Sequence, residues 1–240
     1  MPAPKESKAP VPPKTRKMCV EGFVEEVKRT DQKMKNRRFA FILGAGASKS
    51  SNIKTGGEFV QEWLEILFHR DHLRGNRSFD QWLADTKAGI PALDPKKLAE
   101  SYPAVYAETF QHDPDSGYAY LEAAMADADP RYGYAVLAHI LEKKQHKVVI
   151  TVNFDNLVAD ALANYSNTFP LVCGHDSLAS FAQPNLRRPL VLKVHHDLLY
   201  APKSKPEEID KIGAGYEQAV QRLLQHYTPI VIGYAAMMVR

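Results

Sequence analysis

Four short apolar runs in this 240-residue chain each stop at residues that do not belong in a core. Phe39-Ala40-Phe41-Ile42-Leu43 runs into 44-GAGAS-48, and Val148 to Val152 runs into Asn153 and Asp155. Pro189 to Val194 leads to His195, His196 and Asp197, and Pro229 to Ile232 leads to Gly233 and Tyr234. Short runs rich in β-branched and aromatic residues predict buried strands, and helical patterns separate these. Alternating strands and helices predict an α/β fold, a parallel sheet with helices on both faces. In such a sheet the carboxyl ends of the strands share one edge, where ligands bind at the switch in strand order. Four polar segments delivered to one edge therefore predict a site.

The remaining elements fill in around these strands. Residues 19–35 place Val20, Phe23, Val24 and Val27 at helical spacing, and a second helix over Gly57 to Leu67 aligns Phe59, Trp63, Leu64 and Leu67. From 69 to 146 the chain changes character. Helical patterns around Phe79 to Leu83, Lys97 to Phe110, Ala119 to Ala126 and Tyr132 to Glu142 follow one another, broken by Pro and Gly, with no strong strand between them. Beyond 146 the expected order is a strand at Val148 to Val152, a helix at Asn156 to Asn164 and a short strand at Phe169 to Cys173. A helical segment at Asp176 to Ala182, the strand at Pro189 to Val194, a helix at Glu207 to Tyr227 and the strand at Pro229 to Ile232 complete it. The organisation read from this is a basic, proline-rich tail (1–17), a core made of 18–68 and 147–240, and a helical insertion (69–146). The tail is too poor in large apolar residues to fold by itself. No internal repeat is evident.

Charge and cysteine content exclude several classes. With 31 basic and 28 acidic residues the net charge is only +3, too mild to predict direct contact with nucleic acid or an anionic membrane. No apolar run approaches the roughly 20 residues of a membrane span, and the N-terminus has no signal-peptide core. Two cysteines, Cys19 and Cys173, cannot supply a four-thiolate zinc site, and a reducing cytoplasm is the expected compartment. The pair His69 and His72, three apart on a helix, has no evident third ligand. His175 with Asp176 is an equally weak signal.

At the strand ends the residue types point to chemistry. Glycines at 44 and 46 allow a tight turn and close approach to a ligand, and Ala47 and Ser48 could open a helix whose N–H groups face an anion. The loop departs from the dinucleotide fingerprint, since Lys49 stands where a third glycine belongs and the region around Glu62 is helical. It is not a phosphate P-loop either. Asn153 offers a donor and an acceptor, while Asp155 could meet a sugar hydroxyl or cap the helix that follows. His195 is a sensible general base, and strand alternation would put His195 and Asp197 on one side and His196 on the other.

Taken in order, GAGAS (44–48), TVNFDNL (151–157), KVHHDLL (193–199) and IVIGY (230–234) resemble the sirtuin-like NAD-binding domains, most closely the bacterial ones of anti-phage defence proteins. The resemblance spans about residues 37 to 234. It implies a Rossmann-like domain with a helical subdomain that takes NAD as its substrate. It implies Asn153 and His195 as the catalytic pair. Gly44, Ala45, Gly46 and Ser48 would hold the diphosphate, Asp155 would sit by the nicotinamide and ribose, and Gly233 and Tyr234 would complete the NAD-binding edge. The defence members are similar to NAD hydrolases that split the nicotinamide–ribose bond and drain the cell of NAD once infection is sensed. Deacylating sirtuins carry a four-cysteine zinc module and a Gly-Ile-Pro-x-Phe-Arg loop. This chain has neither, reading NIKTGGEF at 52–59, so no zinc is expected and protein deacetylation is disfavoured. Where the family's last strand runs into Gly-Tyr-Gly-Gly, this chain reads Gly233-Tyr234-Ala235-Ala236-Met237. The added methyls leave a second reading open, a sensor or scaffold module that binds NAD or ADP-ribose without turnover. The partners expected besides NAD are a protein or a C-terminal sensor region, and a second copy of the chain.

Overall fold

The structure, a computed structural model, describes residues 17–71, 75–86, 89–90, 93–198 and 213–234. By its contacts the chain divides into two units, Met1–Arg37 and Arg38–Arg240. The first holds helix α1 (Val20–Lys33), where one was expected. Cys19 caps it, its Sγ accepting from the backbone N–H of Gly22 at 3.4 Å. Glu25 pairs with Lys28 at 2.9 Å and Glu26 with Arg29, one turn on. Nearly all of the expected tail lies outside the described residues.

The second unit is built on five parallel strands: β1 (Arg38–Leu43), β2 (Val148–Thr151), β3 (Leu171–Cys173), β4 (Leu190–Lys193) and β5 (Tyr227–Ile232). Their order across the sheet is β3-β4-β2-β1-β5. The α/β architecture expected from the alternating runs is therefore present, with every pairing parallel. Strand β5 starts two residues earlier than expected. Tyr227 is buried and its hydroxyl donates to Pro184 O at 2.8 Å, which draws that residue into the sheet. Pro229, which has no N–H to give to a ladder, is tolerated because β5 lies at an edge.

Chain direction explains the two faces. The connections β1 to β2 and β2 to β3 both move toward the β3 edge, and the next two move back toward β5. Right-handed crossovers must place these pairs on opposite faces. Helix α6 (Tyr132–Lys143) and helix α7 (Leu157–Ser166), from the first pair, share a core with Phe41, Leu43, Val149 and Val191. A 3-10 turn at Asp176–Phe181 and helix α8 (Ala214–His226), from the second pair, pack on the opposite residues, Ala40, Val148, Ile150, Leu190 and Leu192. The strand residues alternate between the two cores, as a pleated strand requires. The start expected for the last helix, 207–212, lies outside the described residues.

A third core is purely helical. Helix α2 (Gly56–Arg70) contributes Phe59, Val60, Trp63 and Leu64, and α4 (Tyr102–Phe110) contributes Val105, Tyr106 and Phe110. Helix α5 (Pro114–Met125) adds Leu121. Helix α3 (Phe79–Thr86) packs at its margin through Phe79 and Leu83. Trp63 is the hub, fully buried, with Phe59, Tyr106 and Phe110 rings at 5.6, 5.3 and 5.7 Å. Packing thus gives α2 to the helical layer and α6 to the sheet, so the layer is drawn from about 56–125 rather than 69–146. A capping box starts α2, in which Glu58 accepts from Thr55 N at 2.8 Å. Hydrogen bonding to Lys49 and to Thr55 holds the Glu58 carboxyl at about 2. Phe154 and Leu198, from the loops beyond β2 and β4, pack against this layer, which therefore borders the carboxyl edge of the sheet. Among the described residues no helix is long and apolar enough to cross a membrane.

Candidate functional site at the carboxyl edge of the sheet

Strands β2 and β4 are hydrogen-bonded neighbours, yet the chain leaves them for opposite faces: α7 follows β2 on one, α8 follows β4 on the other. That is the switch point at which an open parallel sheet forms a crevice. Residues 152–156 form one wall and 194–198 the other, so Asn153 and His195 arrive on adjacent strands.

The glycine loop lies one strand away, after β1. It forms two short 3-10 turns, Ala45–Ala47 and Lys49–Ser51, and the α-helix begins only at Gly56. The helix expected to open at Ala47 and Ser48 is therefore absent. Asn52, at a left-handed φ of 63°, ends the second turn and redirects the chain. Four of the loop's N–H groups are engaged within the protein. Gly44 donates to Ile232 O at 3.0 Å, Gly46 to Gly233 O at 2.8 Å, Ala47 to Gly44 O at 2.9 Å and Ser48 to Ala45 O at 3.1 Å. The close approach that the glycines allow is made by β5's own continuation. A Cβ on Gly44 would meet the Tyr234 ring at 2.7 Å, and one on Gly46 would meet Gly233 O at 2.8 Å. Gly233 has φ 72°, and a Cβ there would run into Ala47 N. The altered residues Ala235, Ala236 and Met237 lie outside the described residues.

Behind the loop, Asn153, Ser48, Asp155 and Tyr134 converge. Asn153 is buried, and its Nδ2 donates to Gly44 O at 3.1 Å and to Ser48 Oγ at 2.9 Å. Its backbone N–H donates to Thr151 Oγ1 at 3.0 Å, and that hydroxyl donates to Leu43 O. With both side-chain N–H groups engaged, the part of Asn153 left for a ligand is its carbonyl oxygen. Ser48 is fully buried and donates to Asp155 Oδ2 at 2.6 Å, with Tyr134 Oη 2.8 Å away. The other oxygen of Asp155 accepts from Leu157 N at 3.2 Å, so Asp155 also caps α7. Burial pushes the Asp155 carboxyl up, against the hydrogen bonds from Ser48 and Leu157 and the charge of Lys193. Burial and the charge of Asp155 push the Tyr134 phenol up. A cavity of about 10 Å³ lies beside this cluster, lined by Tyr134, Thr151, Asp155, Asn156 and Lys193 among others. That is the lower limit for one water.

On the opposite wall, β4 ends at Lys193 and a turn follows, closed by His196 N–H to Lys193 O at 3.2 Å. Lys193 is almost completely buried. Its ammonium donates to Phe154 O and Asn156 Oδ1 at 2.8 Å each and to Asp197 Oδ2 at 2.6 Å. All three protons are used, and they tie the wall carrying Asn153 to the wall carrying His195. His195 is half-buried in the turn between them. Because the strand stops at Lys193, side-chain alternation does not continue to 197. His196 takes a left-handed φ of 68° and faces the α8 side, its Nε2 3.3 Å from Asp176 Oδ2 and its ring 5.0 Å from that of His175.

The edge thus gathers the expected Gly44, Ala45, Gly46, Ser48, Asn153, Asp155, His195, Gly233 and Tyr234 into neighbouring loops. Two residues of the site were not singled out as functional from sequence. Lys193 had a legible signal, a lysine inside an apolar strand with an acid four residues on. Tyr134 had none, since it sits in an ordinary helical pattern. His69 ends α2 exposed to solvent, and His72 lies outside the described residues. Among the described residues no group of three or more His, Cys, Asp or Glu side chains could hold a metal ion. No protein-family model matches the chain, and no curated protein matches it significantly.

Proposed function

We propose that this chain binds NAD across the carboxyl edge of its sheet and hydrolyses the nicotinamide–ribose bond. One observation carries the reading: Asn153 and His195 follow adjacent strands at the switch point, on two walls that Lys193 ties together. In the proposed step the nicotinamide–ribose bond breaks with its electron pair passing to the pyridinium, which leaves as neutral nicotinamide. No acid is needed for that departure. Positive charge builds on the ribose, and a water oxygen bonds to its anomeric carbon. His195 takes the proton from that water, while the Asn153 carbonyl oxygen orients the water or the substrate carboxamide. What such a site contributes is geometry and charge stabilisation. The cellular setting implied by the resemblance is a bacterial cytoplasm, with NAD depletion as an anti-phage response.

A second reading is a module that binds NAD or ADP-ribose without turnover. It is favoured by the engagement of the Gly44, Gly46, Ala47 and Ser48 N–H groups with the protein's own carbonyls. A diphosphate seated there would have to displace Gly233 O from Gly46 N. Nicotinamide release by the purified chain, compared with Asn153→Ala and His195→Ala, separates the readings. Hydrolysis lost in both variants supports the enzyme. Calorimetric binding of NAD with equal, negligible release from all three proteins supports the sensor.

A further inference from the structure

Tyr134 belongs to none of the strand-end motifs. It rides on α6, is 4 % exposed, and brings its hydroxyl to 2.8 Å from Ser48 Oγ. The direction of every proton in this cluster follows from valence. Gly44 O can only accept, so the Asn153 atom 3.1 Å from it is the amide nitrogen. That nitrogen can only donate, so Ser48 Oγ accepts from it at 2.9 Å. Ser48 has one proton and gives it to Oδ2 of Asp155, 2.6 Å away. Tyr134 is then left to donate into the remaining lone pair of Ser48. The chain of donation runs from Tyr134 through Ser48 to Asp155, with Asn153 feeding the same oxygen.

We propose that Tyr134 is a positioning residue of this site. It holds the Ser48 hydroxyl between Asn153 and Asp155, supports the charge on Asp155, and keeps the Asn153 carbonyl oxygen as the group offered to a ligand. Each bond in such a chain polarises the next, so donation from Tyr134 makes Ser48 a stronger donor to Asp155. The support matters because Asp155 is a partly buried carboxyl whose other oxygen accepts from the backbone N–H of Leu157 at 3.2 Å. The consequence for turnover rests on the NAD-cleaving reading above; the consequence for Asp155 rests on the hydrogen bonds alone.

Two measurements test it, on the full chain with NAD as the probe. The variants are Tyr134→Phe, which removes one hydroxyl, Ser48→Ala, which breaks the chain, and Tyr132→Phe as a control at an exposed site on the same helix. Tyr134→Phe is expected to lower kcat about tenfold while KM for NAD stays within about twofold, as for a group whose support is felt mainly in the transition state. The Asp155 carboxyl, followed by carbon-13 NMR against pH, is expected to titrate about half a unit higher than in the wild type. Ser48→Ala should move both readouts further, and Tyr132→Phe neither. A Tyr134→Phe protein with unchanged kcat and an unchanged Asp155 midpoint overturns the proposal. So does a loss of activity that tracks a fall in Tm with the midpoint unmoved, since that is a packing effect alone. A wild type that neither binds nor cleaves NAD removes the catalytic reading, and a midpoint still raised in Tyr134→Phe then upholds the positioning role separately.

Discussion

The ammonium of Lys193 stands 2.6 Å from Oδ2 of Asp197, four residues on, with both side chains buried at the mouth of the sheet. The same ammonium holds Phe154 O and Asn156 Oδ1, so one side chain fastens the loop after β2 to the turn after β4. Removing one member of a buried ion pair typically costs about 3–5 kcal/mol. Lys193→Met is therefore expected to lose most of the stability of the second unit, measured by urea unfolding. The double variant Lys193→Met/Asp197→Leu should recover much of that loss while leaving the two walls untethered. Recovery of stability without recovery of nicotinamide release would show that the tether positions the walls. Recovery of both would show that it only stabilises them.

Gly233 is set by backbone geometry. Its φ of 72° and the approach of Ala47 N leave no room for a side chain. The left-handed conformation alone costs an alanine about 1–2 kcal/mol, and the steric conflict adds to it. Gly233→Ala should lower Tm and open the Gly46 N–H to exchange, because the carbonyl it bonds must shift. Unchanged protection of the Gly46 amide in hydrogen exchange would contradict the packing described here.

For Asp155 the pH dependence has a definite sign. Burial raises its folded-state value above the unfolded one, so the folded chain favours the neutral acid. The associated stability is fully present below the unfolded value and is lost as pH rises through the folded one. Asp155→Asn removes that titration and keeps an acceptor for only one of the two donors, Ser48 and Leu157. Relative to the wild type, the variant should gain stability as pH rises from the unfolded carboxyl's value, about 4, through the higher folded one. A stability difference that does not vary with pH would show that Asp155 titrates as it does in the unfolded chain.

Trp63 tests the helical layer. It is fully buried among Phe59, Tyr102, Tyr106, Phe110 and Tyr120. Trp63→Ala should cost about 3–5 kcal/mol through the cavity it leaves. Because Phe154 and Leu198 lean on this layer, the change is expected to loosen the loops after β2 and β4. Hydrogen exchange at residues 152–156 and 194–198, compared with β1, measures that directly.

The sequence by itself determined the α/β class and all five strands to within two residues, because a buried parallel strand reads as a short apolar run. It also placed Asn153, Asp155, His195 and the glycine loop at strand ends, since the end of such a run is where polar residues first become tolerable. Strand order and the switch between β2 and β4 came only with the tertiary structure, because parallel pairing is made across long connections that carry no local signal. The true extent of the helical layer was hidden for a related reason. Helices α2 and α6 have similar apolar stripes, and only packing tells which core each one fills. The bonding of the site was equally invisible in sequence. That the GAGAS amides bind β5's continuation, that Ser48 gives its proton to Asp155, and that Tyr134 reaches it from α6 are facts of distance between residues as far as 188 positions apart.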